Sequence, residues 1–159
     1  MMNILVCISC VPDTTSKINF TENDTEFDTN GVQFVINPND EFGLTRAMWF
    51  KEQNDANVDV INVGEQGNDS VLRKALAIGA DRAFRINEKA IDSFQVAKLL
   101  ANHIEGAQYD LIIAGRESID YNGSMVPGMI SELLNVSFIT NCVRLEINGQ
   151  NVVADREIE

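Results

Sequence analysis

YDLIIAGRESIDYNGSMVPGMISELL, Tyr109 to Leu134, decides the fold. Its first part, Tyr109 to Ala114, is a short apolar run with branched residues, which suits a strand buried on both faces of a parallel sheet. Gly115 ends the run. A polar loop follows from Arg116 to Ser124 and carries Asp120, Asn122, Gly123 and Ser124. Met125, Met129, Ile130, Leu133 and Leu134 then recur at helical spacing. Strand, glycine-containing loop and helix start form one βα unit. In open α/β sheets a ligand sits at this end of the strands, where the N–H groups of the next helix can hold an anion.

Outward from this unit, strands and helices alternate. Asn3 to Ser9 is a second buried run, and its place at the N-terminus suits the central strand. Lys17 to Phe20 and Val32 to Val35 alternate apolar and polar, and predict a small β-hairpin inserted after the first strand. Asn37-Pro38-Asn39-Asp40 opens a helix: Asn37 as cap, Pro38 in the first turn, Asp40 at the positive end of the dipole. Phe42, Ala47, Met48 and Phe50 are its apolar positions, through to Glu52. Asp59 to Val63 is the next strand, ending at Gly64. A helix from Asp69 or Ser70 turns Val71, Leu72, Ala75, Leu76 and Ile78 inward and stops at Gly79. Ala83 to Ile86 is a strand. Asp92 and Gln95 form a capping box for a helix holding Val96, Leu99, Leu100, His103 and Ile104. Beyond Leu134, Ser137 to Thr140 reads as a short strand, and Val143 to Ile147 with Val152 to Ala154 as a hairpin about Asn148-Gly149. This alternation predicts one α/β domain, residues 1–159, with a mostly parallel sheet.

A chain of 159 residues can bury about 68–70% of its unfolded surface, so it needs neither disulfide nor metal to hold a core. The net charge of −12 opposes binding to nucleic acid or to an anionic membrane surface. A nucleotide is still admissible, because a helix start can hold a phosphate inside an acidic protein. No run reaches the length of a membrane span, and Met1 to Val6 lacks the basic region of a signal peptide. Three cysteines, an odd count, fit a reducing, cytoplasmic compartment.

Little here suggests bond chemistry. Cys7 and Cys10 form a CxxC, but at the end of a strand, whereas a redox pair needs its first thiol at a helix start. Cys142 and His103 lack zinc spacing. His103, the only histidine, falls on the inward side of a helix end, where it packs or meets the dipole. There is no P-loop, nucleophile elbow or GxGxxG. By contrast, the strand ends at Cys7–Ser9, Val63–Gly64 and Ala114–Gly115 share one edge of a parallel sheet with the helix start at Asn37–Asp40. That convergence favours binding over catalysis.

Several motifs resemble the electron transfer flavoprotein β-subunit family. Cys7 to Ile18, CISCVPDTTSKI, is similar to its strand leading into VPDT-x-x-K-I. Val35 to Glu41 is similar to its N-P-x-D-E helix start. Leu72 to Arg82, LRKALAIGADR, is similar to its L-R-x-A-L-A-x-G-A-D-R segment, the most specific piece. Gly115 to Asp120 resembles its G-K/R-x-A/S-x-D loop, and Asp155 to Glu159 its x-R-E-I-D/E. The resemblance implies a three-layer, Rossmann-like sheet of the adenine-nucleotide α-hydrolase type. It implies a non-enzymatic electron-carrier subunit of a heterodimer that binds AMP structurally, or NAD(H) in bifurcating members. FAD is then held together with the α subunit, and electrons pass from acyl-CoA dehydrogenases to a quinone oxidoreductase or similar acceptor. The implied nucleotide contacts are Cys7, Ser9, Asn37, Pro38, Asn39, Asp40, Gly64, Gly115, Arg116, Ser118, Asp120, Asn122, Gly123, Ser124, Met125 and Val126. No nucleic acid, metal or membrane insertion is implied.

The chain departs from the family pattern in places. Ser9 and Cys10 stand where many members carry lysine and a second basic residue. Val126 replaces a threonine and Pro127 a glycine, which leaves AMP and NAD(H) both open. Family chains also continue past the REI segment into a C-terminal arm, so the resemblance reads this chain as cut short. Its last hairpin is then expected to lack a neighbour and to pair with another copy. The alternative is a stand-alone, universal-stress-like adenine-nucleotide-binding protein. It calls for a glycine-rich phosphate loop after the fourth strand, and Gly123 before Pro127-Gly128 fits that poorly. An ATP-pyrophosphatase-like enzyme calls for an SGGxDS loop after the first strand, where CVPDTT has no glycine.

Overall fold

Parallel strands flanked by helices on both faces must be apolar on both sides, and the central strand β1 (Asn3–Cys7) is so along nearly its whole length. The computed structural model of the protein describes residues 1–21, 23–149 and 151–158. After β1 come β2 (Cys10–Pro12), β3 (Phe34–Ile36), α1 (Pro38–Asn54), β4 (Asn57–Val63) and a 3₁₀ turn (Gln66–Asn68). Next are α2 (Asp69–Ile78), β5 (Arg82–Ile86), α3 (Ser93–Ile104), β6 (Leu111–Ala114), α4 (Val126–Leu134), β7 (Cys142–Asn148) and β8 (Asn151–Arg156). The main sheet has the order β5-β4-β1-β6, all parallel. Val6 lies opposite Val60 on one side and Ile113 on the other.

Successive strand side chains point to opposite faces, and β1 divides accordingly. Ile4 and Val6 enter a core with Leu44, Ala47 and Phe50 of α1 and Val71, Leu72 and Ala75 of α2. Leu5 and Cys7 enter a second core with Ala97, Leu100 and Ile104 of α3 and Ile130 of α4. This is the expected three-layer α/β architecture. One carboxylate is buried within the sheet: Asp59 of β4 is 2% exposed. It accepts from Arg82 Nε (3.0 Å) and Nη2 (2.7 Å) and from Tyr109 Oη (2.8 Å), so its charge is paired and its lone pairs are engaged. Gly79 ends α2 at φ +132°, a conformation that L side chains rarely adopt, donating to Ala75 and Leu76. Among the described residues, no helix is long and apolar enough to cross a membrane.

Several expectations are corrected. The strand, Leu111–Ala114, lies at the edge of the sheet and packs on both faces, Leu111 and Ile113 against the first core and Ile112 and Ala114 against the second, though only Ile113 is buried. The inserted hairpin exists, but β3 pairs antiparallel with Cys10–Pro12 and not with Lys17–Phe20. Burial chooses between them: Val11 and Ile36 are fully enclosed, whereas Ile18 and Phe20 face solvent. Phe20 makes only an isolated bridge to Phe27. Ser137–Thr140 forms no strand. Phe42 is 75% exposed, because α1 meets the sheet through Leu44, Ala47 and Phe50, and it lines a groove beside β6. Leu76 and Ile78 are also exposed, so the buried stripe of α2 is narrower than its periodicity implies. His103 is exposed rather than inward, its ring tilted against Phe84 with centroids 5.0 Å apart. The β7–β8 hairpin is a two-stranded sheet with no further strand beside it among the described residues, as expected, but it packs on the body of the domain. Arg46 of α1 donates from Nε to the Leu145 carbonyl (2.9 Å), and Leu145 and Ile147 lean on the first core.

Candidate functional site

Because β1, β4, β5 and β6 run parallel, their C-terminal ends and following loops gather at one edge. A cleft of about 870 Å³ opens there. Its centre is fixed by Asp40 in the first turn of α1, which is 4% exposed. Asp40 Oδ2 accepts from the Ser9 amide at the end of β1 (2.8 Å), and Oδ1 accepts from the Gly115 amide at the end of β6 (2.8 Å). One carboxylate thus joins two strand ends to a helix start. Burial pushes its carboxyl above the usual range, against the pull of these amides.

Asn37 does not cap α1 with its side chain. It reaches across the cleft floor instead, donating from Nδ2 to the Glu117 carbonyl (2.8 Å) and accepting from the Ile119 amide at Oδ1 (3.2 Å). Asn39 donates to the same Glu117 carbonyl (3.0 Å). Asn37 is only 1% exposed, so these bonds are what satisfy its amide. Gly115 permits this closeness. A Cβ there would lie 2.8 Å from the Asn39 carbonyl carbon and the Asp40 nitrogen, and would strike Asp40 Oδ1.

The loop after Gly115 folds on itself. The Ser118 amide donates to the Gly123 carbonyl (2.9 Å), and Asp120 Oδ1 accepts from the Ser118 hydroxyl and the Tyr121 amide. Asn122 adopts φ +55°, which asparagine tolerates better than most residues. On the β4 side, buried Asn62 donates to the Ile8 carbonyl (2.8 Å) and accepts from Asn68 Nδ2 (2.8 Å). Gly64 beside it has no room for a Cβ, which would collide with the Asn68 side-chain amide. On the β5 side, Asp92 caps α3 by accepting from the Gln95 amide (2.8 Å). Gln95 Oε1 returns the contact to the Ile91 amide (2.8 Å), one residue before the cap. The capping box is present with that shift.

Cys7, Ser9, Asn37, Asp40, Gly64, Gly115, Ser118, Asp120, Gly123 and Val126 all line the cleft. Asn39, Arg116 and Ser124 line a separate groove beyond β6, with Phe42, Phe138 and Val143. Pro38, Asn122 and Met125 line neither. The sequence reading missed Asn62, Glu65 and Asn68 and the segment Lys89 to Ser93. A signal for the last was available: β5 is parallel too, so its C-terminal loop had to reach the same edge.

Both thiols of the CxxC are shifted away from ionisation. Burial, with the Asp40 charge adding to it, pushes the Cys7 thiol to about 12, and burial alone pushes Cys10 to about 11. These shifts disfavour the thiolate that redox chemistry needs, and both cysteines are free. Among the described residues, no three His, Cys, Asp or Glu side chains are grouped to hold a metal.

The sequence profile of the electron transfer flavoprotein domain matches residues 24–159. The chain belongs to the electron transfer flavoprotein family. Similar family members include the electron transfer flavoprotein β subunit of Thermoanaerobacterium thermosaccharolyticum, 35% identical over 99% of this chain and 62% of that protein. Those of Bacillus subtilis (32% identical; 99% and 62%) and Clostridium acetobutylicum (32%; 95% and 59%) align likewise. The chain therefore spans about three fifths of the length of these relatives (62%, 62% and 59%). The domain match begins after β1 and β2, so Cys7 and Ser9 connect to the family through the β-subunit relatives, which align along nearly the whole chain.

Proposed function

We propose that this chain is the nucleotide-binding β-type subunit of a heterodimeric, FAD-containing electron transfer flavoprotein. It holds AMP as a structural ligand, or NAD(H) if the complex is of the bifurcating type. FAD binds together with an α subunit, and the pair carries electrons from acyl-CoA dehydrogenases to a quinone oxidoreductase or similar acceptor. The observation that carries the reading is the convergence of Ser9, Asn37, Asp40, Gly64, Gly115 and Asp120 on one cleft at the carboxyl edge of the sheet. All of these but Gly64 stand in the motifs that resemble those of β subunits.

The residues present fit a nucleoside well. Asn37, Asp40 and Asn62 form a rigid, hydrogen-bonded floor, and Gly64 and Gly115 keep the backbone close. Co-expression of the chain with the α-type subunit of its own genome tests the proposal. A co-purifying pair with the visible absorbance of bound FAD is expected. A chain that stays apart from α and yields no flavin absorbance would refute it.

A further inference from the structure

Asn62 and Asn68 form a relay on the β4 side of the cleft, and the backbone fixes its direction. Asn62, 2% exposed near the end of β4, donates from Nδ2 to the Ile8 carbonyl (2.8 Å). A carbonyl only accepts, so turning the Asn62 amide over would set oxygen against oxygen. Its Oδ1 therefore faces Asn68, and Asn68 has to present Nδ2 to it (2.8 Å). Sterics support the same arrangement. A Cβ on Gly64 would lie 2.6 Å from Asn68 Cγ and 3.0 Å from Asn62 Oδ1, so the bare glycine lets the two amides meet. Asn68 closes the 3₁₀ turn before α2, is half-buried and lines the cleft. Among the described residues nothing donates to its Oδ1, which is left open on the cleft.

An exposed asparagine turns its amide to suit either a donor or an acceptor. This one is held, so it offers the cleft a fixed acceptor with an N–H beside it. A carboxamide pairs in this way with adenine, whose 6-amine donates while a ring nitrogen accepts. The β6 side of the cleft suits the other end of a nucleotide. There α4 starts at Val126 with no acidic residue in its first turn and no side-chain cap, and such a helix start attracts a phosphate. That leaves the β4 side for the base.

Resting on the reading of this cleft as a nucleotide site, we infer that Asn68, held in one orientation by Asn62, reads the 6-amine of adenine and sets the choice of base. The role is the same for AMP and NAD(H), since both carry adenine. Titration calorimetry of the full chain with AMP, IMP and purine riboside 5′-monophosphate tests this. IMP carries a carbonyl in place of the amine, and the third compound carries neither. AMP binds about tenfold more tightly than the unsubstituted compound. IMP binds more weakly still, because an amide that cannot turn sets its oxygen against the carbonyl. Asn68→Ala abolishes this order: AMP affinity falls about tenfold, and that of the other two holds or rises. Asn62→Ala leaves Asn68 in place but frees its amide, so the penalty on IMP shrinks about threefold. A role in packing alone would lower all three affinities together. Equal affinities in the parent, or an order that survives Asn68→Ala, overturns the inference and leaves the nucleotide reading standing. A penalty on IMP unmoved in a folded Asn62→Ala variant overturns it too; if circular dichroism shows that variant unfolded, the half-buried Asn68→Ala decides. Failure of all three compounds to bind the parent overturns the nucleotide site itself.

Discussion

Gly115→Ala is the substitution on which the account of the cleft depends most. A methyl group at this position falls 2.8 Å from both the Asn39 carbonyl carbon and the Asp40 nitrogen, and nearer still to Asp40 Oδ1. The first two are backbone atoms at the start of α1. The carboxylate is held by two amides at 2.8 Å, so nothing in contact can rotate away. Relief requires the end of β6 to move off α1, which also breaks the Gly115–Asp40 bond. Overpacking of this kind costs about 1–3 kcal/mol, and losing a hydrogen bond to a buried charged group costs about 1.5–3 kcal/mol. A small gain from stiffening the unfolded chain, about 0.4–1 kcal/mol, offsets part of this. The net expectation is about 3–4 kcal/mol, or roughly a 10 °C fall in midpoint for a domain of this size. Urea unfolding followed by circular dichroism measures it, with Gly67→Ala as the control. Gly67 also lines the cleft, but its Cβ would meet nothing within 4 Å. A Gly115→Ala variant within 1 kcal/mol (roughly the scale of an ordinary surface change) of the parent, or no more destabilised than Gly67→Ala, refutes the stapled-floor argument.

Asn37→Ala removes both bonds to the 117–119 backbone, and should cost about 2 kcal/mol while sharply raising amide hydrogen exchange at Ile119; unchanged protection there counts against the bridging role. Under native conditions a thiol-alkylating reagent should modify exposed Cys142 first and leave Cys7 untouched, because Cys7 is buried and its thiol is held at about 12; peptide mapping by mass spectrometry reads the order, and early labelling of Cys7 contradicts it. Asp81 accepts from Lys51 (2.6 Å) and from the Val58 amide (2.8 Å), which together outweigh its desolvation and hold its carboxyl below the ordinary 3.8. A depressed carboxyl contributes stability above that ordinary value and loses it as pH falls through the folded-state value. Asp81→Ala should therefore cost about 1 kcal/mol at neutral pH, and the gap from the parent should close in acid below 3.8; a gap independent of pH contradicts this.

The parallel sheet was legible because a strand covered on both faces has to be largely apolar, as Ile4 to Cys7 is throughout and β4 is at Val58, Val60, Ile61 and Val63. The strand ends followed from that, and with them most of the cleft. Long-range partnerships were not legible. Asn37 sits where a helix cap belongs, and only the folded chain brings the 117–119 backbone within its reach. Asn62 and Asn68 read as ordinary polar residues until the Ile8 carbonyl is placed beside them. Periodicity gave the helices but not how wide a face each buries, so Phe42, Leu76 and Ile78 were turned inward on spacing alone. Ser137 to Thr140 has strand-like residues, yet a strand is defined by its partner, and none of the described strands pairs with it.

The carboxylate of Asp40 has a kinetic consequence. The Ser9 and Gly115 amides lie far apart in the chain but are shielded by the two oxygens of one side chain. Any fluctuation that withdraws Asp40 exposes both at once. Their exchange with solvent deuterium should thus be correlated, proceeding through a shared opening of the cleft floor with one rate and one temperature dependence.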